Sequence, residues 1–184
     1  ALLQGFQRGA HLARVGGMGG EGKTALALVL AEKLAGSYPD GQFFLDLQGT
    51  SNSPLKPEDA MAHVIRSFKG ADCPLPKDMN GLSGLYQTVL SDKKVLILLD
   101  NAANREQLEP IFLSPGSALL VTSRIKFAVP GLSEDMDLDP GILPLEDAMK
   151  LLQKICGRIG DHAEKLAKLC GCLPIALRNA AYAL

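Results

Sequence analysis

Residues 17–24 read Gly-Met-Gly-Gly-Glu-Gly-Lys-Thr and fit G-x-x-x-x-G-K-[ST] at every specified position. Glycines let the backbone fold so that successive N–H groups converge on one anion. A helix opening near Lys23 adds its positive dipole end. The Lys23 ammonium can reach β and γ phosphates, and the Thr24 hydroxyl can ligate Mg²⁺. The flanks suit such a loop. Residues 11–16 read as a strand entering the Gly-rich turn, and residues 24–35 (TALALVLAEKLA) as a helix apolar on most faces, buried against a sheet. Gly17, Met18, Gly19, Gly20, Glu21, Gly22, Lys23, Thr24 and Ala25 are therefore the candidate nucleotide contacts. One residue breaks the pattern: Arg14 stands in the strand, where an apolar side chain is expected.

Working outward, short apolar runs alternate with helical patterns. Residues 43–47 (FFLDL) read as a second strand, and 49–55 have loop chemistry. Residues 57–69 open with Pro and two acids, a good helix start. Residues 82–91 read as a further helix. Residues 95–99 (VLILL) and 118–121 (ALLV) are fully apolar strands, the pattern of strands covered on both faces. Strands separated by helices imply a parallel α/β sheet. After the Pro-, Gly- and Asp-rich stretch 130–141 the pattern becomes wholly helical, with helices expected over 145–155, 161–170 and 173–184. The reading is a nucleotide-binding domain over 1–141 and a small helical segment over 142–184.

Asp100 follows the apolar 95–99 strand. In open α/β sheets ligands sit at the C-terminal strand edge, and a carboxylate there can hold Mg²⁺ through water opposite a phosphate loop. Asp100 and Thr24 are thus the candidate metal ligands. Asn101 stands where many ATP-hydrolysing enzymes carry an acid that orients or deprotonates water, and an amide cannot act as a base. Residues 117–124 (SALLVTSR) repeat the layout of a buried strand, here ending in Arg124. A cation at that edge can read a γ-phosphate.

Composition narrows the partners. The 184 residues are 47% hydrophobic and 21% charged, with 19 Lys and Arg against 20 Asp and Glu, a formal net charge of -1. That balance disfavours broad binding to nucleic acid or anionic membrane. No apolar run reaches the roughly 20 residues of a membrane span, and no signal peptide is visible. The chain opens at Ala1 and stops inside a helical pattern, as an excised fragment would. Cys73, Cys156, Cys170 and Cys172 form no Cys-x-x-Cys, and His11, His63 and His162 are isolated from one another. Free thiols in a reducing compartment follow, and the expected location is the cytoplasm.

The ordered set GMGGEGKTALA, VLILLDNA, ALLVTSR and CGCLPIAL resembles the NB-ARC family of STAND-class signal-transduction ATPases, over roughly residues 11–184. The Leu-Leu-Asp-Asn-Ala run is most similar to bacterial members. The resemblance implies a three-layer P-loop NTPase sandwich with a mainly parallel sheet, in which one other strand separates the phosphate-loop strand from the Asp100 strand. It implies ATP or ADP with Mg²⁺ as ligands, Lys23 and Thr24 on phosphate and metal, Asp100 as the Walker B acid and Arg124 as the γ-phosphate sensor. Pro174 would be the proline that packs by the adenine. Lys23, Asp100 and Arg124 would carry whatever turnover there is. The chain departs from the family at Asn101, at Cys172 where Gly is usual, and in lacking a hydrophobic-Gly-Arg segment before the loop.

The expected function is an ATP/ADP switch in a larger regulator. Hydrolysis would be slow or absent, other domains of the parent chain would be its partners, and assembly would follow activation. Other readings stay open on the residues alone. One is a small-molecule kinase, which shares the loop and the lysine. Another is a nucleotide-binding adaptor without turnover. Gly17, Gly19 and Gly22 also satisfy the dinucleotide pattern G-x-G-x-x-G, with Asp46 near the distance of a ribose-binding acid. That reading leaves Lys23 and Thr24 unexplained. A GTPase would need Asn-Lys-x-Asp, which is not present.

Overall fold

The computed structural model describes residues 1–111 and 116–184. They form two compact units: residues 1–16 with 24–138, and residues 17–23 with 139–184.

The first unit is built on a parallel sheet. Its elements run α1 (Leu2–Gln7), β1 (Leu12–Gly16), α2 (Lys23–Leu34, from Thr24 onward in this unit), β2 (Gly41–Asp46), α3 (Pro57–Lys69), α4 (Met79–Leu90), β3 (Val95–Ala102), β4 (Ala118–Ser123) and β5 (Asp137–Leu138). The strand order is β2-β3-β4-β1-β5, and every pair is parallel. One strand, β4, separates β1 from β3, as the resemblance implies.

Alternation along the strands sorts the core into two layers. In β3, Val95, Ile97 and Leu99 face α3 and α4, where Met61, Val64, Ile65 and Tyr86 complete one cluster. Leu96 and Leu98 face the other way, toward Ala27, Leu30 and Leu34 of α2, with Leu2 and Phe6 of α1 in the same cluster. A strand covered on both faces must be apolar at every position, which is why β3 and β4 read as unbroken apolar runs. Tyr86 keeps its hydroxyl satisfied by donating to the Ile111 carbonyl at 3.2 Å, and burial pushes its phenol well above the usual value.

The helix starts follow local chemistry. α3 has Pro57 at its first turn with Glu58 and Asp59 beside it, and occupies the expected residues. α4 begins at Met79, earlier than expected, because the Asp78 carboxylate caps it by accepting from the Gly81 N–H at 2.8 Å. Two elements went unanticipated. α1 precedes β1, and β5 lies inside the stretch read as a break.

The strand β5 explains the misfit at Arg14. Arg14 is only 3% exposed. Its Nε donates to Asp137 Oδ1 at 2.9 Å and its Nη2 to Asp137 Oδ2 at 2.6 Å, while Nη1 donates to the Phe127 carbonyl. The guanidinium also lies 5.5 Å from the Phe127 ring centroid. Arg14 and Asp137 are register partners across β1 and β5. A fork of donors meeting two carboxylate oxygens is the arrangement in which a buried arginine is tolerated.

The second unit carries α5 (Leu145–Ile155), α6 (Ala163–Leu169) and α7 (Pro174–Tyr182) around a core of Ala148, Leu152, Ile159, Ala163, Ala167 and Leu177. The middle helix starts at Ala163 rather than at 161. Residues 157–162 form a 3₁₀ segment broken by Gly160, whose φ of 50° interrupts helical geometry. Pro174 opens α7, where its missing N–H costs nothing.

Candidate functional site

In the first unit, the predicted metal pair is in direct contact. Thr24, at the start of α2, donates its hydroxyl to Asp100 Oδ1 at 2.8 Å. Asp100 is half-buried near the end of β3. A third residue joins them. Thr122 of β4, 2% exposed, donates to the same Asp100 Oδ1 at 2.6 Å. Thr122 Oγ1 also accepts from the Asn101 N–H at 2.9 Å. Two hydroxyls on one carboxylate oxygen fix the carboxyl's rotation. Sequence reasoning gave Thr122 no role, although it stands in the run that ends in Arg124. The signal was a hydroxyl at the C-terminal end of an otherwise apolar buried strand.

Asn101 serves the backbone. The β3–β4 register shifts between Leu99 and Ala102, and Asn101 adopts φ 56° within that irregularity. Asn is among the few non-glycine residues that take this conformation readily. Its Nδ2 donates to Thr50 Oγ1 at 3.3 Å, and its carbonyl accepts from the Gly49 N–H at 2.7 Å. Gly49 has to be glycine, since a Cβ there would lie 2.3 Å from the Asn101 carbonyl oxygen and 2.4 Å from the Ala103 nitrogen. The loop after β2 is thus fastened to the end of β3. Buried Gln107 adds to this by donating from Nε2 to the Leu47 and Leu55 carbonyls at 2.8 and 2.9 Å. Asn101 Oδ1 is buried without a hydrogen-bond partner among the described residues.

Arg124 follows β4 directly and is exposed. Among the described residues it makes no ion pair. Ala25 is exposed on the first turn of α2. Neither touches Asp100 in the way Thr24 does.

In the second unit, the loop 17–23 takes its shape from glycine. Gly17, Gly20 and Gly22 have φ of 130°, 90° and 87°. Lys23, 7% exposed, donates from Nζ to the Met18 carbonyl, across the loop. Met18 is exposed, as is Gly19. The Glu21 side chain folds back over Gly17: a Cβ on Gly17 would lie 2.1 Å from Glu21 Oε2 and 2.8 Å from Asp139 Oδ1. Glu21 Oε2 is buried without a hydrogen-bond partner among the described residues.

The start of α7 is seated on this loop. The Ile175 N–H donates to the Gly20 carbonyl at 3.1 Å. A Cβ on Gly20 would lie 2.5 Å from Ile175 Cγ2, and one on Gly22 would lie 4.0 Å from Pro174 Cβ. The Leu-Pro-Ile segment and the glycine loop therefore fit each other, and Pro174 is among the loop's neighbours. The turn that delivers this segment contains Cys172 at φ 53°. Its N–H donates to the Ala167 carbonyl at 3.0 Å and its carbonyl accepts from the Leu143 N–H at 3.1 Å. Left-handed backbone is where glycine fits best, which gives the usual family residue its reason. This unit also holds a cavity of about 440 Å³, lined by Cys156, Ile159, Leu166 and Leu169 with Arg158, His162 and Lys165. No predicted site residue lines it.

No known family profile matches the chain. It is 37% identical, over 90% of its length, to "Regulatory protein AfsR" of Streptomyces coelicolor. The similarity to "Regulatory protein AfsR" of Streptomyces griseus is 37% over 91%. "Disease resistance protein RML1B" of Arabidopsis thaliana is 29% identical over 89% of the chain. The chain spans 17%, 18% and 17% of the lengths of these relatives. They are far longer regulators and resistance proteins, and the chain matches one module of each. Among the described residues no helix is long and apolar enough to cross a membrane.

Proposed function

The chain belongs to the NB-ARC family of STAND-class nucleotide-binding domains, and on that premise we propose that it is the ATP/ADP switch of a longer regulator. The observation that carries the reading is the 2.8 Å contact between the Thr24 hydroxyl and the Asp100 carboxylate. It brings together the last residue of the phosphate-loop motif and the acid that ends a buried strand. A kinase and an adaptor would share this contact. What favours a switch is the seating of Ile175 on Gly20, which gives the loop a direct mechanical link to the helical segment.

The donor set suits the ligands. Mg²⁺ prefers hard oxygen donors, keeps several waters, and is bound through one or two protein oxygens plus substrate phosphates. Thr24 and Asp100 supply a hydroxyl and a carboxylate of that kind. Among the described residues no three His, Cys, Asp or Glu side chains gather as a metal cage. The positive φ values at Gly17, Gly20 and Gly22 suit a backbone wrapped around an anion.

In this reading each residue has one task. The loop N–H groups and Lys23 hold phosphate, and for Lys23 this means giving up the Met18 carbonyl. Thr24 and Asp100 orient the metal, and Thr122 holds Asp100 in rotation. Arg124 tells ATP from ADP. A ligand shifts a two-state balance only through its differential affinity for the two states, so a sensor has to discriminate the nucleotides and not simply bind them. With an amide at 101, turnover would be slow and would reset the switch. The bound magnesium nucleotide would supply the electrophilic phosphorus, and the protein the orientation of water around it.

Calorimetric titration of the folded chain with ADP, ATP, GTP and NAD, each with Mg²⁺, tests the proposal. Binding confined to adenine nucleotides with phosphate chains supports it. Binding of NAD alone would instead favour the dinucleotide reading of the glycines, and no binding by a folded sample would refute the switch.

A further inference from the structure

Asp46 ends β2 and has no task in the nucleotide-switch reading, though the alternative dinucleotide pattern would use it on a ribose. Its register partner in the sheet is Asp100. Two residues earlier Phe44 pairs with Leu98, and between them Leu45 pairs with Leu99. Leu45 and Leu99 both face the α3 and α4 side. Asp46 and Asp100 therefore both project to the opposite face, where Asp100 meets Thr24. Adjacent strands lie about 4.8 Å apart, so the two residues stand side by side at the C-terminal edge of the sheet.

The surroundings give the two acids different work. Asp100 is half-buried and accepts two hydroxyls on one oxygen. Asp46 is exposed, and its Oδ1 accepts the Gln48 N–H at 2.8 Å. Its Oδ2 has no protein donor among the described residues. The side chain is held at one oxygen and open to water at the other. One residue beyond Asp100, Asn101 Oδ1 is buried and lacks a protein donor among the described residues. Asn101 itself is committed to Thr50 and Gly49 and carries no acid. Asp137, on the opposite edge strand, is neutralised by Arg14.

We propose that Asp46 is the catalytic carboxylate of this domain and takes over, from the neighbouring strand, the work that an acid at 101 does elsewhere. The inference rests on the nucleotide-switch reading. In the step, the oxygen of a water held by Asp46 forms a bond to the γ-phosphorus of ATP. The bond from that phosphorus to the β,γ-bridging oxygen breaks, and its electron pair leaves with ADP. The water proton passes to the Asp46 carboxylate and from there to solvent, so that ATP and water give ADP, inorganic phosphate and a proton. No co-reactant is required. Proton acceptance of this kind contributes roughly 10²–10⁴-fold.

Asp46→Asn separates this role from a structural one, since the amide keeps an Oδ1 to accept the Gln48 N–H and removes only the base. The expected result is ATP and ADP dissociation constants within twofold of wild type, an unchanged melting temperature, and turnover lower by about a hundredfold. The nucleotide that remains bound gives an independent readout. After incubation with ATP and removal of free ligand, wild type should hold mainly ADP, and the Asp46→Asn variant mainly ATP. Adding Asn101→Asp to Asp46→Asn should restore part of the turnover, because it returns an acid to the end of β3. Turnover of Asp46→Asn within threefold of wild type overturns the proposal. So does a wild type that binds ATP and ADP but never converts one to the other, although the switch reading would survive that result. Failure of wild type to bind adenine nucleotide at all would overturn both.

Discussion

Thr122 donates its hydroxyl to the same Asp100 oxygen that receives the hydroxyl of Thr24, at 2.6 and 2.8 Å. The carboxylate is thus tied to two elements at once, the central strand β4 and the first turn of α2. Thr122→Val keeps the shape and removes both of its hydrogen bonds. It should cost about 2–4 kcal/mol of stability, for one bond to a charged group and one to the Asn101 amide. It should also weaken ADP binding several-fold in Mg²⁺ and leave the metal-free affinity unchanged. Titrations with Mg²⁺ and with a chelator compare the two. An equal loss in both would mean that Thr122 supports the fold and not the metal acid.

Arg14 and Asp137 make a different kind of prediction. Asp137→Asn leaves a buried guanidinium without its counter-charge and should destabilise the first unit by roughly 2–4 kcal/mol. Replacing both, as Arg14→Leu with Asp137→Leu, removes the charge that needs compensation and should lie within about 1 kcal/mol of wild type. Urea denaturation of the three proteins measures this. A double variant as unstable as the single one would show that the pair contributes more than mutual neutralisation.

Arg124 is exposed at the end of β4 and makes no ion pair among the described residues. Arg124→Ala should therefore barely change stability. It should lower ATP affinity about tenfold, the value of one lost charged contact to phosphate, and leave ADP affinity within twofold. An unchanged ATP/ADP affinity ratio would remove Arg124 from the sensor role.

The turn before α7 holds Cys172 at φ 53°. Left-handed backbone costs a residue with a Cβ roughly 1–2 kcal/mol, partly offset in a glycine variant by the greater freedom of its unfolded chain. Cys172→Gly should stabilise the second unit by about 0.5–1 kcal/mol. Gly20→Ala should do the reverse, since its Cβ would fall 2.5 Å from Ile175 Cγ2. Thermal melts of the two variants should move in opposite directions, and a Gly20→Ala melt equal to wild type would contradict the tight seating of α7 on the loop.

Much of the architecture was legible because the signals were local. A residue string apolar on both faces identified β3 and β4, and the eight-residue glycine motif with its following helix marked the candidate phosphate loop. What stayed hidden depends on long-range partners. Arg14 looked like a misfit until Asp137 appeared on a two-residue strand too short to show any periodicity. Asn101 looked only like a lost acid, whereas its φ of 56° and its hold on Gly49 and Thr50 give it a backbone task. Thr122 lay in plain sight in the sequence, but nothing in the string says that its hydroxyl faces Asp100. Register supplies that fact, and register is set by packing.

The central claim is that the glycine loop and Lys23 hold the phosphates of an adenine nucleotide. Its most direct test is calorimetric titration of Mg²⁺ and ADP into wild type and Lys23→Ala, with melting curves confirming that both are folded. The account predicts saturable one-site binding to wild type and a loss of at least tenfold in Lys23→Ala, the scale of a charge-assisted contact to phosphate. Equal ADP affinity in the two proteins would contradict it.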